Sequence, residues 1–232
     1  MELLASTVIT ADGATAGTAI TDGANAALLT VAVTAYTQSA AGSSVKVYID
    51  RRATSSDLWV EGETLTFTAT GTQVVGVELG ALTRVRWDVT NMTDATLQVA
   101  GPSTLVYCSP SELTLAIVEK AIAELTLTEK VKACITATDT VNGYLQSYVL
   151  PLVSWTSDLT LKVGYIAAAI LVTQRGADIT GPDSLVYLER DKAISWLNLI
   201  AAGRLRPPGI VDSTPEVFDA GAVVTSLPRR CW

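Results

Sequence analysis

Glu61 and Glu63 are the side chains best suited by type and spacing to acid–base chemistry. Two carboxylates flanking a glycosidic bond can divide into a general acid and a base or nucleophile. Here they stand at i, i+2 around Gly62, a pattern far more often found in a solvated turn. Nothing else in the chain completes such a site. Its 232 residues include no histidine, which removes Ser-His-Asp and Cys-His nucleophiles in cis and most zinc hydrolase sites. Cys108, Cys134 and Cys231 are far apart and make no C-x-x-C pair, so they are expected to be reduced, structural thiols. Neither G-x-x-x-x-G-K-[ST] nor G-x-G-x-x-G occurs. No enzymatic activity, metal or cofactor is expected.

Trp59, Tyr36 and Tyr48 offer a different chemistry. Aromatic faces exposed side by side on one sheet bind sugars, so carbohydrate or host-surface recognition is one reading. The alternative for Trp59 is closure of one end of a sandwich.

Composition narrows the field further. Hydrophobic residues make up 49% of the chain and charged ones 17%, with a net charge of −7. That charge argues against wrapping DNA by phosphate neutralisation, but not against a ring through which DNA passes. The longest apolar run, Gly164 to Val172, is far short of the roughly 20 residues that span a bilayer. Met1 to Ala5 is acidic and does not read as a secretory signal. Such an apolar chain without a membrane segment fits either a large Ala-rich core or surface buried between subunits.

The elements that must position these residues change character near Pro102. Residues 1–106 are rich in Thr, Val, Ala and Gly. Runs at Ala27–Tyr36, Val45–Asp50, Leu65–Thr68, Arg84–Val89 and Thr96–Val99 are β-branched or alternate apolar with polar. Period-two alternation sets Val85, Trp87 and Val89 on one face and Arg84, Arg86 and Asp88 on the other. Six to eight strands in two sheets are predicted, with Trp87, Phe67 and Val47 in the core. Ser55-Ser56-Asp57-Leu58-Trp59 and Arg84-Val85-Arg86-Trp87 resemble the immunoglobulin-like β-sandwich modules of phage structural proteins, with Leu58 where those modules carry Gly.

Residues 107–203 carry helical periodicity. Ser109-Pro110-Ser111-Glu112 is a capping box with Pro at N1, and Leu113, Ile117, Ala121 and Leu125 then share one stripe. A second box, Thr126-Leu127-Thr128-Glu129, opens a helix running to about Tyr148, with Val131, Cys134, Ile135, Val141, Leu145 and Tyr148 in period. Pro151 ends it. Ser157 is expected to cap a third helix with Leu159, Val163, Ile166, Ala167 and Ile170 buried, stopping at Gly176. Thr180-Gly181-Pro182-Asp183 starts a fourth, with Leu185, Leu188, Trp196, Leu197 and Ile200 inward and a stop at Gly203. The prolines of residues 204–232 prevent regular structure. The predicted class is therefore α+β in two domains: a β-sandwich over 1–106, a four-helix bundle over 107–203, and an extended C-terminal arm over 204–232.

Order and spacing across Val106 to about Gly209 resemble the small helical head–tail connector (adaptor) proteins of tailed bacteriophages, of the Mu-like kind. The matching pieces are Tyr107 before the Ser-x-x-Glu-Leu start and Ala137–Val141 leading to Tyr144-Leu145. They continue with the Tyr148-x-Leu150-Pro151-Leu152 exit and the Ala167–Leu171 run. Last comes Tyr187, Ala193, Trp196-Leu197, Ile200-Ala201 and Gly203. Ser147 replaces the family's usual basic residue, and the N-terminal strands are an addition to it.

The resemblance implies a virion neck protein, made in the host cytoplasm. It would form a homo-oligomeric ring of about twelve subunits beneath the portal protein. That ring would extend the channel for double-stranded DNA, without sequence-specific binding or membrane contact, and would meet a tail or neck completion protein. Asp139, Asp178, Asp183, Glu189 and Asp191 are then channel-facing candidates that keep DNA from sticking, against a reading as solvated helix faces. Arg204, Arg206, Pro207, Pro208, Val217, Phe218, Val223, Val224 and Trp232 are candidates for an arm that grips a neighbour, and the four scattered arginines Arg204, Arg206, Arg229 and Arg230 fit an acidic protein partner better than DNA.

Overall fold

The structure is a computed structural model that describes residues 1–20, 24–117, 119–176 and 183–212. Ten strands are present among them: β1 (Glu2–Ile9), β2 (Gly13–Ala14), β3 (Thr18–Ala19), β4 (Ala26–Gln38), β5 (Ser44–Arg52), β6 (Thr64–Phe67), β7 (Gly71–Glu78), β8 (Leu82–Thr90), β9 (Met92–Ala100) and β10 (Ser103–Thr104). They form two antiparallel five-stranded sheets. One runs β1-β9-β4-β10 with β7 on the other side of β4; the second runs β2-β8-β5-β6 with β3 also on β8. The sequence missed β1, β7 and the two-residue strands, whose runs are broken or too short to show alternation. Inward residues of both sheets meet in one buried cluster that includes Leu29, Val31, Val47, Phe67, Val85 and Leu97. Phe67 and Val47 are buried as expected. Trp87 is not: it is half-exposed, and its indole N–H donates to the Ala11 carbonyl at 3.0 Å. An indole that needs a hydrogen-bond partner is drawn to the rim, where a backbone oxygen is available.

Three α-helices follow, α1 (Leu127–Tyr144), α2 (Ser157–Arg175) and α3 (Ser184–Ala201). The stretch expected as a first helix is instead two short 3-10 helices, Pro110–Leu115 and Glu119–Ile122. The Ser109 box forms, with Glu112 Oε2 accepting from the Ser109 amide at 2.8 Å. However, the Ser111 amide donates to Glu78 of the sheet, which fastens the first turn to β7. The Thr126 box is also made, and α1 ends four residues early, at Tyr144. Gly176 caps α2 in the left-handed conformation, at φ 92°.

α3 corrects the inward face drawn from sequence. Ala193, Leu197 and Ile200 are buried, whereas Leu185 and Leu188 are 62% and 51% exposed and Trp196 is half-exposed. The helix carries two adjacent apolar stripes, and a 3.6-residue period alone does not say which one meets the core.

The helical cluster, centred on Val131, Cys134, Val163, Leu171 and Leu197, takes Ala26 and Val106 into it from the strand region. The Asn25 side chain joins the same seam, accepting from the Val106 amide at 2.8 Å and donating to its carbonyl at 2.9 Å. α1 covers β7, an edge strand whose outward amides would otherwise be open for pairing.

Candidate functional site

The Glu61–Glu63 pair lines a cleft of about 510 Å³ between the second sheet and the helical layer, together with Arg51, Glu78 and Lys130. Both carboxylates are engaged there. Glu61 Oε2 accepts from Arg86 at 2.7 Å, and Glu63 Oε1 accepts from the Leu127 amide at 3.1 Å. Leu127 is the first residue of α1, so Glu63 satisfies a donor that the helix cannot and sits at its positive end. Glu78 is buried between Arg51 and the Ser111 amide. A Cβ on Gly62 would collide with the Ile49 carbonyl oxygen, which explains the small residue between the two glutamates. The cleft is thus a joint in which Glu63 and Glu78 hold the helical layer to the strands, while Glu61 pairs with Arg86 of the sheet.

The aromatics proposed for sugar binding are occupied or apart. The Arg52 and Arg84 guanidiniums each lie 4.3 Å from the Trp59 ring centroid, and Arg86 lies 3.7 Å from that of Tyr48. Buried Asp50 sits among them and binds Arg84 at 3.0 Å and Arg86 at 3.4 Å. Tyr36 belongs to β4, in the other sheet. A shared, open aromatic platform is therefore missing from these three residues.

Cys108 and Cys134 are both buried. A hydrogen bond with Cys108, reinforced by burial, pushes the Cys134 thiol far up from its ordinary value, so it stays protonated and unreactive. Cys231 lies outside the described residues.

Tyr107 anchors the start of the helical layer. Its hydroxyl donates to Asn142 Oδ1 at 2.8 Å, its amide donates to Thr138 Oγ1 at 3.2 Å, and its ring meets Trp155 edge-on at 5.0 Å. Desolvation raises the Tyr107 pKa, which keeps the hydroxyl a donor.

The channel candidates do not form one surface charge. Asp183 is buried, and both its oxygens accept from Arg175, at 2.8 and 2.9 Å. Glu189 pairs with Lys192 and Asp191 with Arg190, each at 2.7 Å. Asp139 is exposed on α1. Asp178 lies outside the described residues.

Residues 204–212, expected as the start of an extended arm, lie partly docked on their own chain. Leu205 and Ile210 pack on the helical cluster, Pro207 is buried, and Val211 bridges to Ser154. Prolines stop regular structure but do not stop docking, and apolar neighbours hold this stretch against its own chain. Arg204, Arg206 and Pro208 are exposed. Val217, Phe218, Val223, Val224, Arg229, Arg230 and Trp232 lie outside the described residues.

Two apolar surfaces were not singled out from sequence. One is a groove of about 430 Å³ lined by Ala116, Ile117, Ala121, Tyr165, Leu185 and Val186, together with the ion-paired Asp183 and Glu189. The other is a patch of exposed Val149, Leu150, Val153 and Val211. Backbone bonds join its pieces: Val153 donates to the Val211 carbonyl at 2.8 Å, and Val149 donates to Asp212 at 3.2 Å. The signal for the patch was the apolar run around Pro151, which fits no helical period. No helix among the described residues is long and apolar enough to cross a membrane, and no group of three metal-ligating side chains occurs among them.

No curated protein matches the chain. One family model does, that of bacteriophage Mu, Gp36, over residues 107–224. That span begins at the anchoring Tyr107 and takes in all three helices and both apolar surfaces, about half of the sequence. The chain belongs to the bacteriophage Mu Gp36 family.

Proposed function

We propose that this chain is a structural virion protein, a head–tail connector whose copies form a ring of about twelve subunits below the portal. The ring extends the DNA channel and gives the tail or a neck completion protein its attachment site. In this reading residues 1–106 are an immunoglobulin-like sandwich domain attached to the helical connector domain, and the residues after Asp212 form the arm that reaches a neighbour. Family membership over residues 107–224 is the observation that carries it. Two further features support it. The helical layer leaves large aliphatic side chains in water at both ends, as a subunit made for neighbours would. The negative net charge suits a conduit that DNA slides through.

The carbohydrate-binding alternative is not retained, because the Trp59 and Tyr48 rings are covered by guanidiniums and Tyr36 is in the other sheet.

A phage carrying a nonsense mutation in this gene tests the proposal. DNA-filled heads accumulating beside free tails, or heads that lose their DNA, are expected. Complete, infectious virions lacking the protein would refute it.

A further inference from the structure

We propose that strands and helices form one cooperative fold and not two tethered modules. The sheet containing β4 and β7 is a shared middle layer, and the helical layer has no complete core without it.

β4 carries this residue by residue. Ala27, Leu29 and Val31 belong to the cluster between the two sheets, whereas Ala26 belongs to the helical cluster and Leu28 packs against it. Successive side chains of a strand point to opposite faces, so the start of β4 has a core on each side. β7 repeats the pattern. Its first half is exposed, with Val74 at 53%, and its second half, Val75 to Glu78, is buried whichever way the side chain points. A sheet that is apolar on both faces needs a layer against each, and the helices supply the third layer.

Polar ties cross the same seam. The Gly76 amide donates to Thr128 at 2.9 Å, the Leu127 amide to Glu63 at 3.1 Å, and the Ser111 amide to Glu78. Each joins a backbone amide of one layer to a side chain of the other, so separating the layers leaves part-buried donors without their acceptors. Separation would also bare Ala26, Leu28 and Val131 to water. The family span starts at Tyr107, yet one wall of its core comes from the strands before it. Wherever copies of the chain assemble, strands and helices then arrive as one rigid body.

Hydrogen exchange of the full chain, read by mass spectrometry, tests this. Amides that open only with the whole fold report its global stability. In wild type the slowest peptides of β4 and β9 should match those of α1 and α2 in protection. Ile9→Val trims the sandwich cluster and Ile166→Val the helical one, changes mild enough to leave the chain folded. Each should speed the slowest peptides of both layers by the same factor, roughly two- to tenfold. Asn25→Ala, which removes both bonds to Val106, should likewise act on both layers alike. Acceleration confined to the substituted layer, or wild-type helices that open while the strands stay closed, would overturn the proposal. Neither result bears on where the chain sits in the virion.

Discussion

The Gly76 amide donates a 2.9 Å hydrogen bond to Thr128 Oγ1, tying the outer edge of β7 to the first turn of α1. A Cβ at Gly76 would stand 2.8 Å from both Thr128 Cα and Val131 Cβ. One of these is backbone, so the helix itself must move. Gly76→Ala is expected to destabilise the fold by about 1–3 kcal/mol, read as a lower midpoint in urea. An unchanged midpoint would show that α1 is free to shift away from the strand.

Tyr107→Phe removes the hydroxyl that Asn142 Oδ1 accepts from and keeps the ring against Trp155. A loss of about 1 kcal/mol is expected, and Tyr107→Ala should lose several times more by opening a core cavity. Equal losses for the two variants would mean that the ring packing contributes nothing.

Asp50 is 2% exposed and holds Arg84 and Arg86. Asp50→Asn leaves two guanidiniums without their shared counter-charge. About 2–4 kcal/mol of stability should be lost, below the full cost of breaking a buried pair because the arginines are partly in water. Asp50→Asn should leave neck assembly intact if enough folded protein accumulates. A stability change within 0.5 kcal/mol, the ordinary range for a surface substitution, would contradict the bridging role.

The Glu129 pKa is lowered from its ordinary 4.5, first by the hydrogen bond from the Thr126 amide and then by the Thr126 hydroxyl. A depressed carboxylate pKa adds stability that is complete above 4.5 and fades as pH falls through the folded-state value. Wild type should therefore lose stability relative to Glu129→Gln as pH drops below 4.5. Parallel stability curves across that range would rule out the cap as the source.

How much of this was legible in the sequence follows from local rules. Both capping boxes were, because Ser109–Glu112 and Thr126–Glu129 need only a three-residue spacing. So was Gly176, placed where a helix ends. The alternation at Arg84–Val89 separated Val85 from the two arginines correctly. What failed depended on distant partners. Glu78 reaches Ser111 across 33 residues and ties the start of the expected first helix to the sheet, and nothing local shows that. Leu185 and Leu188 were drawn inward because two apolar stripes adjoin on α3. The guanidiniums covering Trp59 come from β5 and β8, so their stacking needs the sheet pairing first. Residues 205–210 dock because Leu205, Pro207 and Ile210 find their own helices, which a count of prolines does not reveal.

The central claim, a ring of helical layers around a DNA conduit, is tested most directly by a symmetry-resolved cryo-electron microscopy reconstruction of the virion neck. The account predicts a closed ring of about twelve copies directly beneath the portal, with α1–α3 packed against those of adjacent copies and DNA density on the axis. A neck with no density that accommodates these helices, or copies of this fold standing apart elsewhere in the particle, would contradict it.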